Sequence, residues 1–206
     1  MYMPPAFREE RIEVLHAAIR EASLATLVTL TDEGLIASHV PLLLDPAPAP
    51  YGTLIGHLAS PNLQATHSVA DVQALAIFQG PDVYVTPNWY ATKRETGKVV
   101  PTWNYVAIHA YGSIRFFDEP ARLLEIVTRL TERHENPRAQ PWAVADAPAD
   151  FVGGMLRGIV GFEIPIARLQ GKWKMSQNRP QADRAGVIAG LTEEGREDIA
   201  VLVAPD

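Results

Sequence analysis

The sequence predicts an α+β protein built around an antiparallel β-sheet or barrel. Seventeen prolines and 14 glycines divide the 206 residues into short segments, which suits a β-rich chain better than a helical bundle. About six segments have the apolar character of strands. The helical segments do not alternate regularly with these strands, so a parallel sheet of βαβ units is not expected.

The first half of the chain opens with a helix over residues 9–21, in which Ile12, Leu15 and Ile19 recur at helical spacing. A hairpin follows, because the turn residues Asp32-Glu33-Gly34 separate two apolar runs. Residues 62–69 are predicted to form a short helix after the proline-rich surface loop 45–50. Strands are predicted at residues 24–30, 35–44, 53–58 and 74–78.

The second half contains a helix that starts at Pro120 and ends near Glu135, because its apolar residues again recur at helical spacing. A proline- and alanine-rich connection leads from there to a short helix at 151–156. Arg179-Pro180 opens a last helical region, and residues 192–206 are interpreted as an appended tail. Strands are predicted at 83–86, 105–117 and 159–169, with an exposed loop at 92–98.

Composition excludes several classes of function. The 24 acidic and 18 basic residues give a net charge of −6, so direct binding to duplex DNA is expected to be weak or absent. The chain has no cysteine, which excludes disulfides and thiolate chemistry. No apolar run approaches the ~20 residues of a membrane span, and no signal peptide is visible, so a cytoplasmic protein is expected. No carboxylate accompanies the strand histidines His39, His57 and His109 at a telling offset, so no metal site is assigned.

The first candidate segment is GHLASPN at residues 56–62, where a strand ends and a helix begins. Backbone N–H groups at the helix start and the Ser60 hydroxyl could hold an anion, with His57 and Asn62 beside them. The alternative is that Ser60 only caps the helix, with Pro61 at its first position.

The second segment enters a strand at residues 100–105, where Trp103 and Tyr105 flank Asn104. Two aromatic rings beside an amide can flank a planar ligand, while the amide forms hydrogen bonds with the ligand's edge. Thr102, which precedes Trp103, is a further candidate residue of this site. A buried corner of the core would use the same residues.

The third segment, GKWKMSQNR at residues 171–179, alternates Lys172 and Lys174 around a tryptophan. At strand spacing both lysines share one face and could hold a phosphate. Ser176, Gln177 and Asn178 extend this polar run. The alternative is an exposed edge strand guarded by lysines.

Taken in order, the motifs resemble the PaiB family of FMN-binding negative transcriptional regulators, which are related to the flavin-binding split barrels. The resemblance covers roughly residues 1–191 and leaves 192–206 outside it. It rests on MYMPPAF (1–7), GHLASPN (56–62), FQGPDVYVTPNWY (78–90), VVPTWNYVAIHAYG (99–112), LTERHE (130–135), PWAVADAP (141–148), IVGFEIPI (159–166) and GKWKMSQNRPQADRAGVIAGL (171–191).

The resemblance implies an α+β split β-barrel, antiparallel and Greek-key-like with flanking helices, which forms a homodimer with FMN in a groove between subunits. It places GHLASPN near the ribityl phosphate, and TWNY and GKWKMSQN along the groove. The family usually has a basic residue where this chain has Ser60. Losing a charge-assisted contact of ~1.5–3 kcal/mol would weaken FMN binding, and Lys172, Lys174 or Arg179 could compensate.

Three functions remain open at this stage. The first is a negative transcriptional regulator that acts indirectly, since no basic helix-turn-helix is visible. The second is an FMN-dependent oxidoreductase, because flavin chemistry resides in the cofactor and needs little from the protein. The third is an interaction module without a cofactor. No catalytic residue is assigned.

Overall fold

The computed structural model describes residues 1–69 and 71–204, which form two compact units. Unit 1 contains Met1–Arg11, Gln79–Ile108 and the residues from Gln170 onward, and unit 2 contains Ile12–Phe78 and His109–Leu169. The helices are α1 (Ile12–Glu21), α2 (Leu63–His67), α3 (Ala91–Thr96), α4 (Pro120–Glu135), α5 (Ala149–Leu156), α6 (Gln181–Glu193) and α7 (Glu197–Val203). The strands are β1 (Arg8–Glu9), β2 (Ala25–Thr31), β3 (Gly34–Val40), β4 (Leu43–Asp45), β5 (Thr53–Ala59), β6 (Ala74–Val85), β7 (Thr102–Gly112), β8 (Arg115–Phe117), β9 (Ile159–Pro165) and β10 (Arg168–Lys174).

Unit 2 contains an antiparallel sheet with the strand order β4-β5-β9-β8. Helix α4 covers this sheet, because its Ile126 and Leu130 form a buried cluster with Leu43 of β4 and Ile55 of β5. The same unit holds the hairpin β2-β3, which also pairs with the first residues of β6.

In unit 1, β1, β10, β7 and β6 lie side by side in that order. Helices α6 and α7 share its apolar core with β6 and β7. The buried core residues are Val83, Val85, Tyr90, Val106, Met175, Val187, Leu191, Ile199, Ala200 and Val203.

The predicted α+β class with antiparallel sheets is confirmed, and so are the elements with the strongest local signals. Helix α4 covers the predicted range, starting at Pro120 and ending at Glu135. Helix α1 starts three residues later than predicted, at Ile12, and ends as predicted at Glu21. The hairpin turn is also confirmed, since Thr31 pairs with Gly34.

Three predicted strands are divided differently in the structure. Residues 35–44 are not one strand: β3 ends at Val40, before a proline that cannot donate to a ladder. Residues 105–117 split into β7 and β8, and 159–169 split into β9 and the start of β10. Conversely, the strands predicted at 74–78 and 83–86 belong to the single strand β6, which ends at Val85. A Cβ atom added to Gly80 of this strand would lie 2.8 Å from Val106 Cβ.

Two segments predicted without regular structure are helical. Helix α3 begins at Ala91 and occupies most of the loop predicted at 92–98. The Asp183 carboxylate of α6 caps its first turn by accepting from Thr92 N at 2.9 Å. The tail interpreted at 192–206 contains α7, whose Ile199 and Val203 are buried in the core of unit 1. Its last two residues lie outside the described chain.

Candidate functional site

A small polar cavity in unit 1 brings together two of the three predicted segments. Its volume is about 50 Å³, and its walls come from β7 and from the end of β10 with the turn that follows. The lining residues are Thr102, Asn104, Lys174, Ser176, Asn178 and Arg179. Five of these six were predicted as site residues from the sequence, and Arg179 closes the predicted motif.

The turn after β10 is shaped by its own polar side chains. Ser176 has a φ of 63°, in the left-handed region. Its hydroxyl and the Asn104 side chain are both buried and bond to each other, with Asn104 Nδ2 donating to Ser176 Oγ at 3.0 Å. Gln177 braces the turn by accepting from Met175 N at 2.7 Å and donating to the Trp173 carbonyl at 2.6 Å. The Ser-Gln-Asn run therefore holds the shape of the cavity wall.

Lys174 supplies a positive charge for which the described residues offer no carboxylate partner. Its ammonium donates to the Thr102 hydroxyl at 2.5 Å and to the Trp103 carbonyl. Burial, reinforced by the charges of Lys172 and Arg179, lowers the pKa of the Lys174 ammonium. Among residues 1–69 and 71–204, the recorded ion pairs include none from these three cations. An anion at the cavity would relieve this repulsion.

Arg179 reaches the cavity from beside Tyr90, with its guanidinium carbon 4.5 Å from the centre of the Tyr90 ring. Burial raises the pKa of the Tyr90 hydroxyl, against the opposing effect of Arg179. The Tyr90 hydroxyl and Asp183 Oδ2 are buried without a hydrogen-bond partner among the described residues. Sequence reasoning did not connect Tyr90 with Arg179, because their contact depends on α6 and α3 packing together.

Lys172 lies away from this cavity and ties the N-terminal segment to β10. Its buried ammonium donates to the Tyr2 carbonyl at 3.1 Å and lies 5.0 Å from the Tyr105 ring centre. Strand β1 pairs with Gly171 and Lys172 of β10, and β7 lies on the other side of β10, so Lys172 does not lie on a free edge of the sheet. Lys172 and Lys174 alternate in sequence as predicted, but their ammonium groups have different partners.

Trp103 provides an aromatic surface in the same unit. Its side chain is 54% exposed and makes an edge contact with Tyr84 of β6, with ring centres 5.9 Å apart. The interpretation of Trp103 as a buried core corner is therefore wrong. An exposed aromatic pair offers area for a planar ligand or for a partner.

The 56–62 segment belongs to unit 2, and the structure corrects its expected capping. Asn62, not Ser60, caps α2, because its side-chain oxygen accepts from Gln64 N at 2.9 Å. Ser60 instead donates its backbone N–H to the Gly158 carbonyl at 2.9 Å. His57 Nδ1 is buried without a partner among the described residues, and burial lowers the pKa of this imidazole.

These features define a class: an α+β protein of antiparallel sheets with a cationic polar cavity suited to an anion. A family model described as "Putative FMN-binding domain" matches residues 1–168. The chain belongs to this FMN-binding family, and FMN is the cofactor that the family identifies. None of the helices in the two described ranges is long and apolar enough to cross a membrane.

Relatives along nearly the whole chain support this assignment and confirm the resemblance to PaiB. "Protease synthase and sporulation protein PAI 2" from Bacillus subtilis is 34% identical, covering 94% of this chain and 90% of the relative. "Uncharacterized protein AN0679" from Emericella nidulans is 36% identical, covering 96% of this chain and 92% of the relative.

Solved structures agree on the fold. A conserved hypothetical protein, Rv2991 from Mycobacterium tuberculosis, has a TM-score of 0.60 at 13% identity, covering 88% of this chain and 95% of its own. The flavocytochrome Anf3 from Azotobacter vinelandii has a TM-score of 0.57 at 11% identity, covering 81% of this chain and 69% of its own. The predicted split-barrel fold class is confirmed.

Proposed function

We propose that this flavin-binding split-barrel protein holds the phosphate of FMN at the cavity of Lys174 and Arg179. The observation that carries the proposal is a pair of cations without carboxylate partners among the described residues, facing a polar cavity. A phosphate monoester is a small dianion that binds through charge-assisted hydrogen bonds. The donor set therefore fits the group.

The size of the cavity supports a phosphate there and not the flavin ring. A volume of about 50 Å³ is close to that of one small anion. The ring system needs a larger aromatic surface, and exposed Trp103 offers one in the same unit. When bound, FMN supplies hydride and electron transfer. The residues of this chain bind and orient it.

The other phosphate position, at the 57–62 turn, has weaker support. Helix α2 has only five residues, and the Asn62 side chain already accepts from one of its first N–H groups. The chain has Ser60 where the family usually has a basic residue.

An FMN titration of purified, flavin-free protein will separate the two positions. Lys174→Ala is expected to raise the Kd about 10- to 150-fold, equivalent to ~1.5–3 kcal/mol for a charge-assisted contact. Ser60→Arg is expected to leave the Kd unchanged. Quenching of flavin fluorescence measures both, and Lys174→Met repeats the test while keeping the aliphatic stem.

Lys98→Ala, which removes an exposed lysine of the same unit, is the control and should bind FMN as the wild type does. If Ser60→Arg tightens binding while Lys174→Ala has no effect, the phosphate lies at the 57–62 turn and the cavity assignment fails. A circular dichroism spectrum of each variant checks that it is folded.

For the biological role, we propose a negative transcriptional regulator that acts indirectly, through metabolism or a partner protein. The name of the Bacillus relative links that protein to protease synthesis and sporulation. The net charge of −6 gives this chain little electrostatic attraction to duplex DNA.

Three measurements distinguish this role from the other two functions. Oxidation of NAD(P)H by the FMN-loaded protein would instead favour the oxidoreductase. A colourless protein that binds no FMN would favour the interaction module. A gel shift at nanomolar protein in physiological salt would contradict the indirect role.

We also propose a cytoplasmic homodimer. Within unit 1, alternate residues of β7 are partly exposed, among them Trp103 and Tyr105, and Tyr84 of β6 is exposed beside Trp103. An aromatic-rich sheet face of this kind is usually covered by a partner. Sedimentation velocity at micromolar concentration is expected to give twice the chain mass of 22.6 kDa. A monomer under those conditions would contradict the proposal.

A further inference from the structure

Arg179 is a cation of the unit 1 cavity whose guanidinium has no polar partner in the described ranges. It lines the cavity beside Lys174, and a guanidinium carries five N–H donors. None of the recorded ion pairs within residues 1–69 and 71–204 involves Arg179, and the hydrogen bond recorded for it there runs from its backbone N–H to the Ser176 carbonyl at 2.9 Å. A long side chain loses conformational freedom when a ligand orders it, and this loss lowers affinity. A contact that orders Arg179 beforehand would therefore strengthen the binding of an anion.

The Tyr90 ring provides such a contact. The guanidinium carbon of Arg179 lies over this ring, 4.5 Å from its centre, which is within the reach of a cation–π interaction, about 6 Å. The Tyr90 hydroxyl is buried without a hydrogen-bond partner among the described residues, so the contact is made by the face of the ring. An aromatic face occupies none of the N–H donors of a guanidinium. Tyr90 therefore holds Arg179 and leaves its donors available to a ligand.

The ring itself has a fixed position. Tyr90 is only 1% exposed and belongs to the apolar core of unit 1. Its backbone N–H donates to the Pro87 carbonyl at 3.1 Å, and it immediately precedes α3. The Asp183 carboxylate of α6 accepts from Thr92 N of α3 at 2.9 Å, which connects α3 to the helix that follows Arg179. The ring and the backbone of Arg179 are thus held by the same packing.

The charged groups near Arg179 do not take the place of a ligand. Asp183 is the carboxylate nearest to Arg179 along the chain. One of its oxygens accepts from Thr92 N, and the other is buried without a hydrogen-bond partner among the described residues, so neither oxygen is bonded to Arg179. Lys174, the other charged residue of the cavity lining, is positive as well. The cavity therefore selects an anion.

We infer that Tyr90 is a positioning residue, whose ring holds the Arg179 guanidinium at the cavity before FMN binds and so raises the affinity for the phosphate. The inference rests on the proposed function, since it requires the phosphate to lie in this cavity. Tyr90 is not part of the cavity lining, so it acts through Arg179 and not by contact with the ligand. Binding of FMN should therefore depend on Tyr90, whereas binding of riboflavin, which has no phosphate, should not.

Quenching of flavin fluorescence tests this role, with FMN and riboflavin as separate ligands of the flavin-free protein. Tyr90→Met removes the ring and fills part of its space with a flexible side chain. It should raise the Kd for FMN about 2- to 30-fold, the range of one cation–π contact, and leave the Kd for riboflavin unchanged. Tyr90→Phe keeps the ring and should restore wild-type affinity. Arg196→Lys, which changes an arginine of unit 1 outside the cavity lining, is the matched control and should bind FMN as the wild type does.

A double-mutant cycle shows whether Tyr90 acts through Arg179. In an Arg179→Met background, Tyr90→Met should cause no further loss of FMN affinity, because the guanidinium that the ring holds is already absent. A full additional loss in that background would overturn the positioning role. An equal loss of riboflavin affinity in the Tyr90→Met single variant would also overturn it, since damage to the packing of unit 1 would then explain the effect.

Arg179→Lys tests the same contact without a change in the core, because Arg179 is only half-buried. The lysine keeps the charge but has no planar face, so the Kd for FMN should rise about threefold or more. Wild-type affinity in this variant would overturn the inference even if Tyr90→Met does not fold.

The result for Lys174→Ala separates this inference from the proposed function. If Lys174→Ala weakens FMN binding and Tyr90→Met does not, the phosphate lies in the cavity but Tyr90 does not position Arg179. If neither variant weakens FMN binding, the phosphate lies elsewhere, and the proposed function fails together with the inference.

Discussion

Replacing Phe162 with alanine is expected to lower the free energy of unfolding by about 3–5 kcal/mol, as large-to-small changes of buried aromatic residues do. Phe162 is completely buried on β9, and its ring lies edge-on to Phe116 of β8 with centres 6.2 Å apart. On β5, the position opposite is Gly56, where a Cβ atom would lie 2.9 Å from the Phe162 ring. Gly56 has no side chain with which to fill the space, so the cavity should stay open.

Urea unfolding of the flavin-free protein measures this loss without a contribution from ligand binding. Phe151→Ala is the matched control, because Phe151 is 59% exposed on α5. The control should change stability by less than about 0.5 kcal/mol. Similar losses in both variants would mean that burial of Phe162 does not determine the effect.

Gly186→Ala is expected to destabilise unit 1 by about 2–3 kcal/mol, the cost of inserting atoms into a closely packed contact. A Cβ atom on Gly186 of α6 would lie 1.9 Å from the backbone oxygen of Trp89. A Cβ atom on Gly190, one turn later, would lie 2.2 Å from the Trp89 ring. The backbone atoms cannot move aside as a flexible side chain could, so α6 would have to shift.

The control for this substitution should change stability in the opposite direction. Gly154 lies in α5, where the nearest atom to an added Cβ is Arg157 Nη2 at 3.7 Å. Gly154→Ala should therefore raise the free energy of unfolding by up to about 1 kcal/mol, from helix propensity alone. If both alanines stabilise the protein, the close approach of α6 to Trp89 is not the constraint proposed here. The same urea experiment compares them.

The elements that could be predicted from sequence are those whose signals are local. Helix α4 carries its apolar spacing and its N-terminal Pro120 within one segment, and its boundaries were predicted correctly. Helix α3 could not be found in this way, because its cap is Asp183 on α6. Helix α7 is too short for a clear apolar periodicity. Its apolar residues are buried only because they pack against α6, and the sequence of α7 alone does not predict that contact.

For the candidate site, the sequence identified the right segments but not their partners. It indicated Lys172 and Lys174 together, since they alternate along one strand. In the structure, Lys172 donates a hydrogen bond to the Tyr2 carbonyl, whereas Lys174 lines the cavity. The difference depends on the N-terminal segment, which lies 170 residues away in sequence. No spacing rule within the motif can anticipate such a contact.

The discontinuity of unit 1 has a consequence for its synthesis on the ribosome. Strand β1 pairs with β10, and α3 takes its cap from a residue 91 positions later. The middle segment of unit 1, residues 79–108, includes Tyr84 and Trp103. This segment cannot form its full set of contacts until the C-terminal part of unit 1 has been translated. Contacts of such long sequence separation form slowly and leave apolar surface exposed meanwhile. The nascent chain therefore exposes apolar surface of unit 1 until β10 and α6 have been synthesised.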